Sequence, residues 1–192
     1  HDWGSIVAQV LVALVDEYPQ TNYRIDSAVF YAVPPLGSFY QNINVKQIIR
    51  SRYMFYFQLF GVTNTLRRDD LIYIKKLWAR WSPWTDIELD SQPQLNLTLK
   101  TLAAGRCLEN AIAYYRHFLN PYYVLRGNSL KAQNKLLLKK RECRSLLLVG
   151  EKDSCIGAEM FEGAESYYPH PDTRLEVMSG LGHFAHLENP AR

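Results

Sequence analysis

Two aspartates and one histidine, far apart in the sequence, are the residues best suited to chemistry. Asp2 stands just before an apolar, helix-like run that extends over 5–15. Asp153 follows the apolar run 145–149, and His183 lies in a glycine-containing loop after the strand-like run 174–178. A carboxylate nucleophile, an imidazole base and a second carboxylate that orients the base could form a covalent ester and then hydrolyse it. The order nucleophile, acid, histidine is one of those found in catalytic triads.

Asp2 has two interpretations. It could cap the helix that follows, because Asp accepts backbone N–H bonds at a helix start and complements the helix dipole. It could instead occupy a nucleophile elbow, a sharp turn from strand into helix that holds one side chain out at the carboxyl edge of a sheet. An elbow needs small residues beside the nucleophile where strand and helix come close, and Gly4 supplies one. Asp2 alone favours a cap; its combination with Asp153 and His183 favours the elbow.

The composition indicates a globular protein and gives no sign of nucleic-acid binding. The net charge of +3 is mild, and no basic stripe alternates with aromatic residues. The apolar run after the elbow ends at Asp16 and Glu17, well short of the roughly 20 residues that span a bilayer. Because the three cysteines share no metal-type spacing, we expect free thiols and a reducing, cytoplasmic compartment.

The hydrophobic pattern predicts an α/β protein. Strands are expected at 25–33, 144–150 and 174–178, with a helix at 158–167. The triad candidates would then lie beyond the carboxyl ends of the strands, where open α/β sheets place their chemistry.

The long segment between the first two strands is predicted to be helical and rich in aromatic residues. Asp69 or Asp70 is expected near the start of its second helix. We interpret 38–140 as a helical cap, and 1–37 together with 141–192 as the sheet-bearing core. The cap helices are predicted at 45–60, 69–81, 95–104, 107–119 and 129–138.

These features resemble the α/β-hydrolase superfamily, and within it the epoxide hydrolases. Residues 1–4 are similar to the elbow that epoxide hydrolases share with haloalkane dehalogenases, which use Asp where esterases use Ser. Residues 151–153 look like the acid loop, and 182–184 look like the histidine loop. The resemblance implies the C-terminal part of an α/β-hydrolase fold, with parallel strands, flanking helices and a helical cap. It implies that Asp2, Asp153 and His183 are catalytic, with Glu151 as the alternative acid, and that Trp3 supplies a backbone oxyanion donor.

Two cap segments distinguish the relatives. Residues 53–58 look like the epoxide hydrolase segment whose first tyrosine faces the nucleophile, and 114–116 look like the segment with the second. The resemblance therefore implies catalytic roles for Tyr53 and Tyr115, with Tyr56 and Tyr114 as the alternatives in register. Haloalkane dehalogenases use no such tyrosine pair.

The function that follows is an epoxide hydrolase that acts on a small apolar epoxide and water, without a cofactor or a metal. A haloalkane dehalogenase with the same triad and a non-catalytic piece of a protein remain alternatives. The resemblance covers nearly the whole chain, yet it implies a strand before His1 and a His-Gly-x-Pro loop that the chain lacks. We therefore expect an incomplete core, and we expect residues 1–192 alone to be unstable and inactive, with an unpaired apolar edge at 25–33.

Overall fold

The fold is built on a three-stranded parallel sheet with the strand order β1-β2-β3. The computed structural model describes residues 1–18, 20, 22–119 and 135–191. The strands are β1 Ser27–Tyr31, β2 Arg144–Gly150 and β3 Arg174–Met178. The predictions for β2 and β3 are confirmed. The carboxyl ends of the three strands lie at one edge of the sheet because all three run in the same direction.

β1 is shorter than the predicted strand 25–33. It ends at Tyr31 because Ala32 adopts a φ of 63°, which turns the chain out of the extended conformation. Phe30 is fully buried, whereas Val29 on the opposite face is 58% exposed.

Helices flank the sheet and occupy the described part of the long connection from β1 to β2. Helix α1, Trp3–Glu17, precedes β1 and packs against it. The connection contains α2 Leu36–Asn42, α3 Val45–Arg50, α4 Arg52–Tyr56, α5 Val62–Arg68, α6 Ile72–Trp81, α7 Asp86–Ser91, α8 Pro93–Ala103 and α9 Cys107–Leu119. The prediction for 107–119 is confirmed, and that for 95–104 is shifted by one or two residues. The helix predicted at 129–138 falls largely outside the described residues. In the part of this range that the structure describes, residues 135–137 are helical.

The single helix predicted over 45–60 is wrong, because the chain breaks at Ser51 into α3 and α4. The fully buried Gln47 explains the break. Its amide donates to the Ser51 hydroxyl and to the Cys155 carbonyl, and its side-chain oxygen accepts from the Gly157 backbone. Anchoring α3 to the loop after β2 in this way lets α4 leave in a new direction and turn Tyr53 inward.

Two other helix predictions also need correction. The helix predicted from Asp69 begins at Ile72, and neither aspartate caps it, because Leu71 occupies the N-cap position without a side-chain bond. The helix predicted at 158–167 is two short 3₁₀ segments, Ala158–Phe161 and Ala164–Tyr167. Gly163, with a φ of 72°, separates them.

The two larger of three apolar clusters make up most of the core of the described residues. One lies between the sheet, α1 and the 3₁₀ segments, and includes Phe30, Leu147 and Phe161. The other fills the helical segment and also takes in Cys155 and Phe184 from the loops after β2 and β3. The loops that carry Asp153 and His183 thus contribute to the core of the helical segment. The division into a core and a cap at 37/38 and 140/141 stays a prediction.

Close backbone packing joins the ends of β2 and β3. A Cβ placed on Gly150 would lie 2.1 Å from the Gly182 carbonyl oxygen and 2.5 Å from that of Leu181. Only glycine fits at this point, so the loop after β2 and the loop before His183 are held against each other. Within the described ranges, none of the helices combines the length and apolar character that a bilayer crossing requires.

Candidate active site

Asp2 occupies a strained turn at the carboxyl edge of the sheet. Its φ is 51° and its ψ is −125°, a combination that is rare outside glycine, and its side chain makes no capping hydrogen bond to α1. The helix-cap interpretation is therefore wrong. A strained backbone of this kind costs about 1–3 kcal/mol and persists where the surroundings impose it, commonly at functional sites. The Asp2 N–H donates to the Tyr31 carbonyl at 3.1 Å, which anchors the turn to the end of β1.

Ser5 forms a second anchor for this turn, one that the sequence did not reveal. It is 1% exposed, and its hydroxyl donates to the Tyr31 carbonyl at 2.7 Å and accepts from the Tyr31 N–H at 2.8 Å. The expected crowding at Gly4 is absent, because an added Cβ would meet no described atom within 4 Å. The first turn of α1 is therefore fixed by the Ser5 hydroxyl and not by a close approach at Gly4.

Asp153 and His183 form a buried pair. They are 1% and 0% exposed, and the His183 Nδ1 lies 2.8 Å from Asp153 Oδ2. The other carboxylate oxygen accepts from the backbone N–H groups of Cys155 and Ile156 at 2.7 and 3.0 Å. An acceptor at Nδ1 fixes the tautomer with its proton there, so the Nε2 lone pair is available as a base. Among the described residues, Nε2 has no hydrogen-bond partner.

Glu151, the alternative acid, does not reach the histidine. Its exposed carboxylate accepts from the Ser179 hydroxyl at 2.9 Å and from the Gly180 N–H at 2.7 Å. Its place in the structure is to tie the start of the acid loop to the turn after β3.

The backbone of the histidine loop is held by groups that the sequence analysis missed. Glu188 accepts from the Gly182 N–H at 2.7 Å, from the Phe184 N–H at 3.2 Å and from the Ser82 hydroxyl at 2.5 Å. The His183 N–H donates to the Trp81 carbonyl at 2.9 Å. The glycine and histidine of this loop could be recognised in the sequence as a candidate site. Glu188, five residues after His183, belongs to no motif that would have identified it.

His1 also contacts the buried pair. Its Nε2 lies 2.9 Å from the His183 carbonyl oxygen, and the two rings are 4.6 Å apart. His186 packs on the His1 ring at 4.8 Å. Burial lowers the pKa of His186, so this outer imidazole is neutral near pH 7. Its position beside the site follows from the fold and has no sequence motif.

The electrostatics couple Asp2 to this pair. Burial raises the pKa of Asp2, while the charge of His183 and the nearby Trp3 backbone N–H lower it. Burial lowers the pKa of His183, but the charge of Asp153 and its hydrogen bond to the imidazole outweigh burial, so the pKa of His183 is raised. The imidazole lies close enough to both carboxylates to respond to their charges, and the Trp3 backbone N–H lies near the Asp2 carboxylate.

Tyr53 and Tyr115 meet beside Asp2 from two different helices. Tyr53 is in α4 and Tyr115 is in α9, and their rings are 5.6 Å apart. The Tyr115 ring also lies edge-on to Trp3 at 5.3 Å. Burial raises the pKa of both tyrosines, and the negative charge of Asp2 raises each of them further. Both phenols therefore keep their protons near neutral pH and lie within the field of the Asp2 carboxylate.

The alternative tyrosines lie elsewhere. Tyr56 packs on Tyr73 at 4.7 Å, and Tyr114 is 57% exposed and contacts the Trp3 ring at 5.4 Å. Gln58 keeps the two helices in register, because its amide donates to the carbonyls of both Met54 and Tyr115. The structure thus brings together Asp2, Trp3, Tyr53, Tyr115, Asp153 and His183, whose chemical roles remain predictions.

Cys155 lies against Tyr53 and was not singled out in the sequence. Its Sγ is 3.6 Å from the Tyr53 hydroxyl, and burial raises the pKa of the thiol. A protonated thiol is a weak nucleophile, so Cys155 does not compete with the Asp2 carboxylate. Across the described residues, no group of three or more His, Cys, Asp or Glu side chains is placed to hold a metal ion.

Comparison with solved structures places this geometry in a known fold. The chain superimposes on a Bacillus megaterium epoxide hydrolase in complex with an inhibitor, with a TM-score of 0.69, 20% identity and 99% of the chain covered. A methionine-to-alanine mutant of an epoxide hydrolase from Bacillus megaterium gives 0.70 at 18% identity and 99% coverage. The chain has part of an α/β-hydrolase fold, a small parallel sheet with flanking helices. A Klebsiella pneumoniae protein provisionally described as an epoxide hydrolase gives 0.67 at 18% identity, with 98% covered.

The chain corresponds to only part of each of these solved structures. The chain spans 63% of the length of the two Bacillus structures and 60% of the Klebsiella one. No protein-family profile matches the sequence, and no curated protein matches it either. At this level of identity the comparison establishes the fold of the chain, and the chemistry depends on the arrangement of its side chains.

Proposed function

We propose that the protein containing this chain is an epoxide hydrolase that opens an apolar epoxide to a vicinal diol through an ester on Asp2. The convergence of Tyr53 and Tyr115 beside Asp2 carries the proposal. A nucleophile, a base and an orienting acid suit many hydrolases. Two neutral phenols at the nucleophile suit a substrate whose leaving oxygen must be protonated without departing from the molecule.

In the first step, an Asp2 carboxylate oxygen attacks a ring carbon and the bond from that carbon to the epoxide oxygen breaks. The oxygen takes a proton from one phenol while the other donates a hydrogen bond, a contribution of roughly 10²–10⁴-fold in rate. The product of this step is a hydroxyalkyl ester and one tyrosinate. Holding the carboxylate and the phenols on opposite sides of the ring removes much of the entropic cost of the attack.

In the second step, water cleaves the ester. His183 accepts a proton from water at Nε2, and the resulting hydroxide attacks the carbonyl carbon of the ester. Asp153 stabilises the imidazolium and keeps its orientation. The backbone N–H of Trp3, the residue after Asp2, stabilises the oxyanion. The bond from the carbonyl carbon to the alkyl oxygen breaks, that oxygen takes the proton of the new carboxylic acid, and the diol leaves Asp2 as a carboxylate. The proton on His183 returns to the tyrosinate, so the sum is epoxide plus water to diol.

Replacing the two tyrosines distinguishes an epoxide hydrolase from a haloalkane dehalogenase, which uses no such pair. We expect Tyr53→Phe and Tyr115→Phe, made in the full-length protein, each to slow ester formation by roughly 10²-fold or more, because a proton donor is lost. Hydrolysis of the ester should change by less than about threefold. Rapid-mixing kinetics with styrene oxide separate the two steps, and Tyr114→Phe is the matched control on the same helix.

Product analysis decides between the two enzymes. Diol from styrene oxide, with no halide from 1-bromobutane, is the expected result. Halide release without diol, or phenylalanine variants as fast as the parent, would contradict the assignment.

The pKa of His183 predicts how ester hydrolysis depends on pH. The base must be neutral, so hydrolysis falls as pH drops through the His183 pKa, which Asp153 holds above its ordinary value of 6.5. The negative charge of Asp2 raises the pKa of His183 less than Asp153 does, and ester formation removes it. The charge of Asp153 stays in place. We expect a midpoint above pH 6.5 in single-turnover experiments, and a lower one in Asp153→Asn. Hydrolysis that is flat from about pH 5 to 9 would exclude His183 as the base.

We also propose that the protein is located in the cytoplasm. Cys107, Cys143 and Cys155 are all unpaired, and Cys107 is exposed to solvent. Free thiols persist in reducing surroundings, which supports a cytoplasmic enzyme.

A further inference from the structure

Cys155 lies where the loop after β2 meets the helical segment, and its main chain is bonded on both sides. Its N–H donates to the Asp153 carboxylate at 2.7 Å, and its carbonyl accepts from the Gln47 amide at 2.9 Å. The residue is 2% exposed and belongs to the apolar cluster of the helical segment. Because the backbone that carries it is bonded to both elements, the thiol occupies a fixed position.

The thiol of Cys155 faces the hydroxyl of Tyr53. Its Sγ lies 3.6 Å from that oxygen, and no other polar atom of the described residues bonds to the sulfur. By distance alone, either group of the pair could be the donor. The direction of the bond depends on where the proton of each group has its better acceptor.

The single proton of Tyr53 has a better acceptor than this sulfur, because a thiol accepts only weakly. The Tyr53 hydroxyl lowers the pKa of Tyr115, the effect of a proton turned toward the Tyr115 oxygen. A thiolate at Cys155 would raise the pKa of Tyr53, but burial raises the pKa of this thiol and keeps it protonated. The sulfur therefore has a proton to donate, and the lone pairs of the Tyr53 oxygen are available to accept it.

We propose that Cys155 is a positioning residue for ring opening, whose S–H donates to the Tyr53 oxygen and so directs the Tyr53 proton at the epoxide oxygen. The inference rests on the proposed function. No covalent bond of Cys155 forms or breaks: when Tyr53 gives up its proton, the S–H stays hydrogen-bonded to the tyrosinate oxygen until the proton from His183 returns. The loop after β2 then serves both steps, since Asp153 orients the base and Cys155 orients the acid.

Replacing the thiol should slow ring opening and leave hydrolysis unchanged. In the full-length protein, Cys155→Ala should lower the rate of ester formation from styrene oxide about three- to tenfold, the scale of one neutral hydrogen bond. Ester hydrolysis should stay within about twofold, because alanine keeps the backbone bonds to Asp153 and Gln47. Cys155→Ser restores a donor and should form the ester faster than Cys155→Ala. Cys143→Ala, at a buried cysteine in the apolar cluster beside the sheet, is the control and should change neither rate.

The S–H stretching band in the Raman spectrum measures this hydrogen bond without any catalysis. The band of Cys155 is obtained in each background as the difference that Cys155→Ala makes. Donation to Tyr53 weakens the S–H bond and lowers its frequency, so the band should move to higher frequency in Tyr53→Phe and stay in place in Tyr114→Phe.

The two measurements separate this inference from the proposed function. If the band moves as expected but the parent turns over no epoxide, the donation to Tyr53 stands and the proposed function fails. The role of Cys155 is overturned if epoxides are turned over while the band does not respond to Tyr53→Phe. It is also overturned if Cys155→Ala slows both steps equally, or if Cys155→Ser forms the ester no faster than Cys155→Ala.

Discussion

Replacing Asp2 with alanine should lower the turnover of any epoxide by roughly 10⁴-fold or more, the scale of loss seen when a covalent nucleophile is removed. The carboxylate provides the atom that attacks the ring carbon, and no other described carboxylate can take its place. Asp153 is engaged by His183 and by two backbone N–H groups, and Glu151 is bound to the turn after β3. Water attacking directly would lack the fixed geometry that gives the carboxylate its advantage.

Asp26→Ala is the control for this variant. Asp26 carries the same side chain near the start of β1, but it is exposed and paired with Arg24. It should retain parental activity. Because Asp2 holds a strained backbone, Asp2→Asn should accompany the alanine variant: it keeps the size of the side chain and removes the nucleophile. A fully folded Asp2→Asn that still forms diol at more than about one per cent of the parental rate would exclude Asp2 as the nucleophile.

The triad candidates could be found from the sequence because each follows a local signal. Asp153 is the only aspartate in the loop after β2, and His183 is flanked by glycine after β3. Those strands could be predicted because their apolar runs are short, uninterrupted and bounded by turn residues. Tyr53 and Tyr115 were identified through a family resemblance and not through periodicity, since the helical segment is rich in tyrosine throughout.

What the sequence could not give depends on contacts between distant elements. The break at Ser51 follows from Gln47 reaching the loop after β2, 108 residues away. Ser5 and Glu188 satisfy backbone groups of β1 and of the histidine loop, and neither stands out until those loops are placed. The elbow geometry of Asp2 required its φ and ψ, because an aspartate before a helix is otherwise an ordinary cap.

His183→Gln should separate the two halves of the reaction. Attack by Asp2 does not need the imidazole, so the ester should still form within seconds to minutes. Hydrolysis should slow by roughly 10³-fold or more, because no base remains to activate water. Glutamine approximates the reach of the imidazole and leaves Asp153 with a hydrogen-bond donor, which limits the damage of an unpaired buried charge. His170→Gln, in the loop before β3, serves as the control and should turn over normally.

The most direct test of the central claim is the intact mass of His183→Gln in the full-length protein after exposure to styrene oxide. The mass should rise by that of one epoxide molecule, since the addition loses no atom, and peptide mapping should locate the addition on Asp2. The double variant Asp2→Asn, His183→Gln should show no increase, and alkaline treatment should release diol from the single variant. A folded His183→Gln that binds the epoxide and gains no mass, or gains it equally in the double variant, would contradict a covalent Asp2 ester.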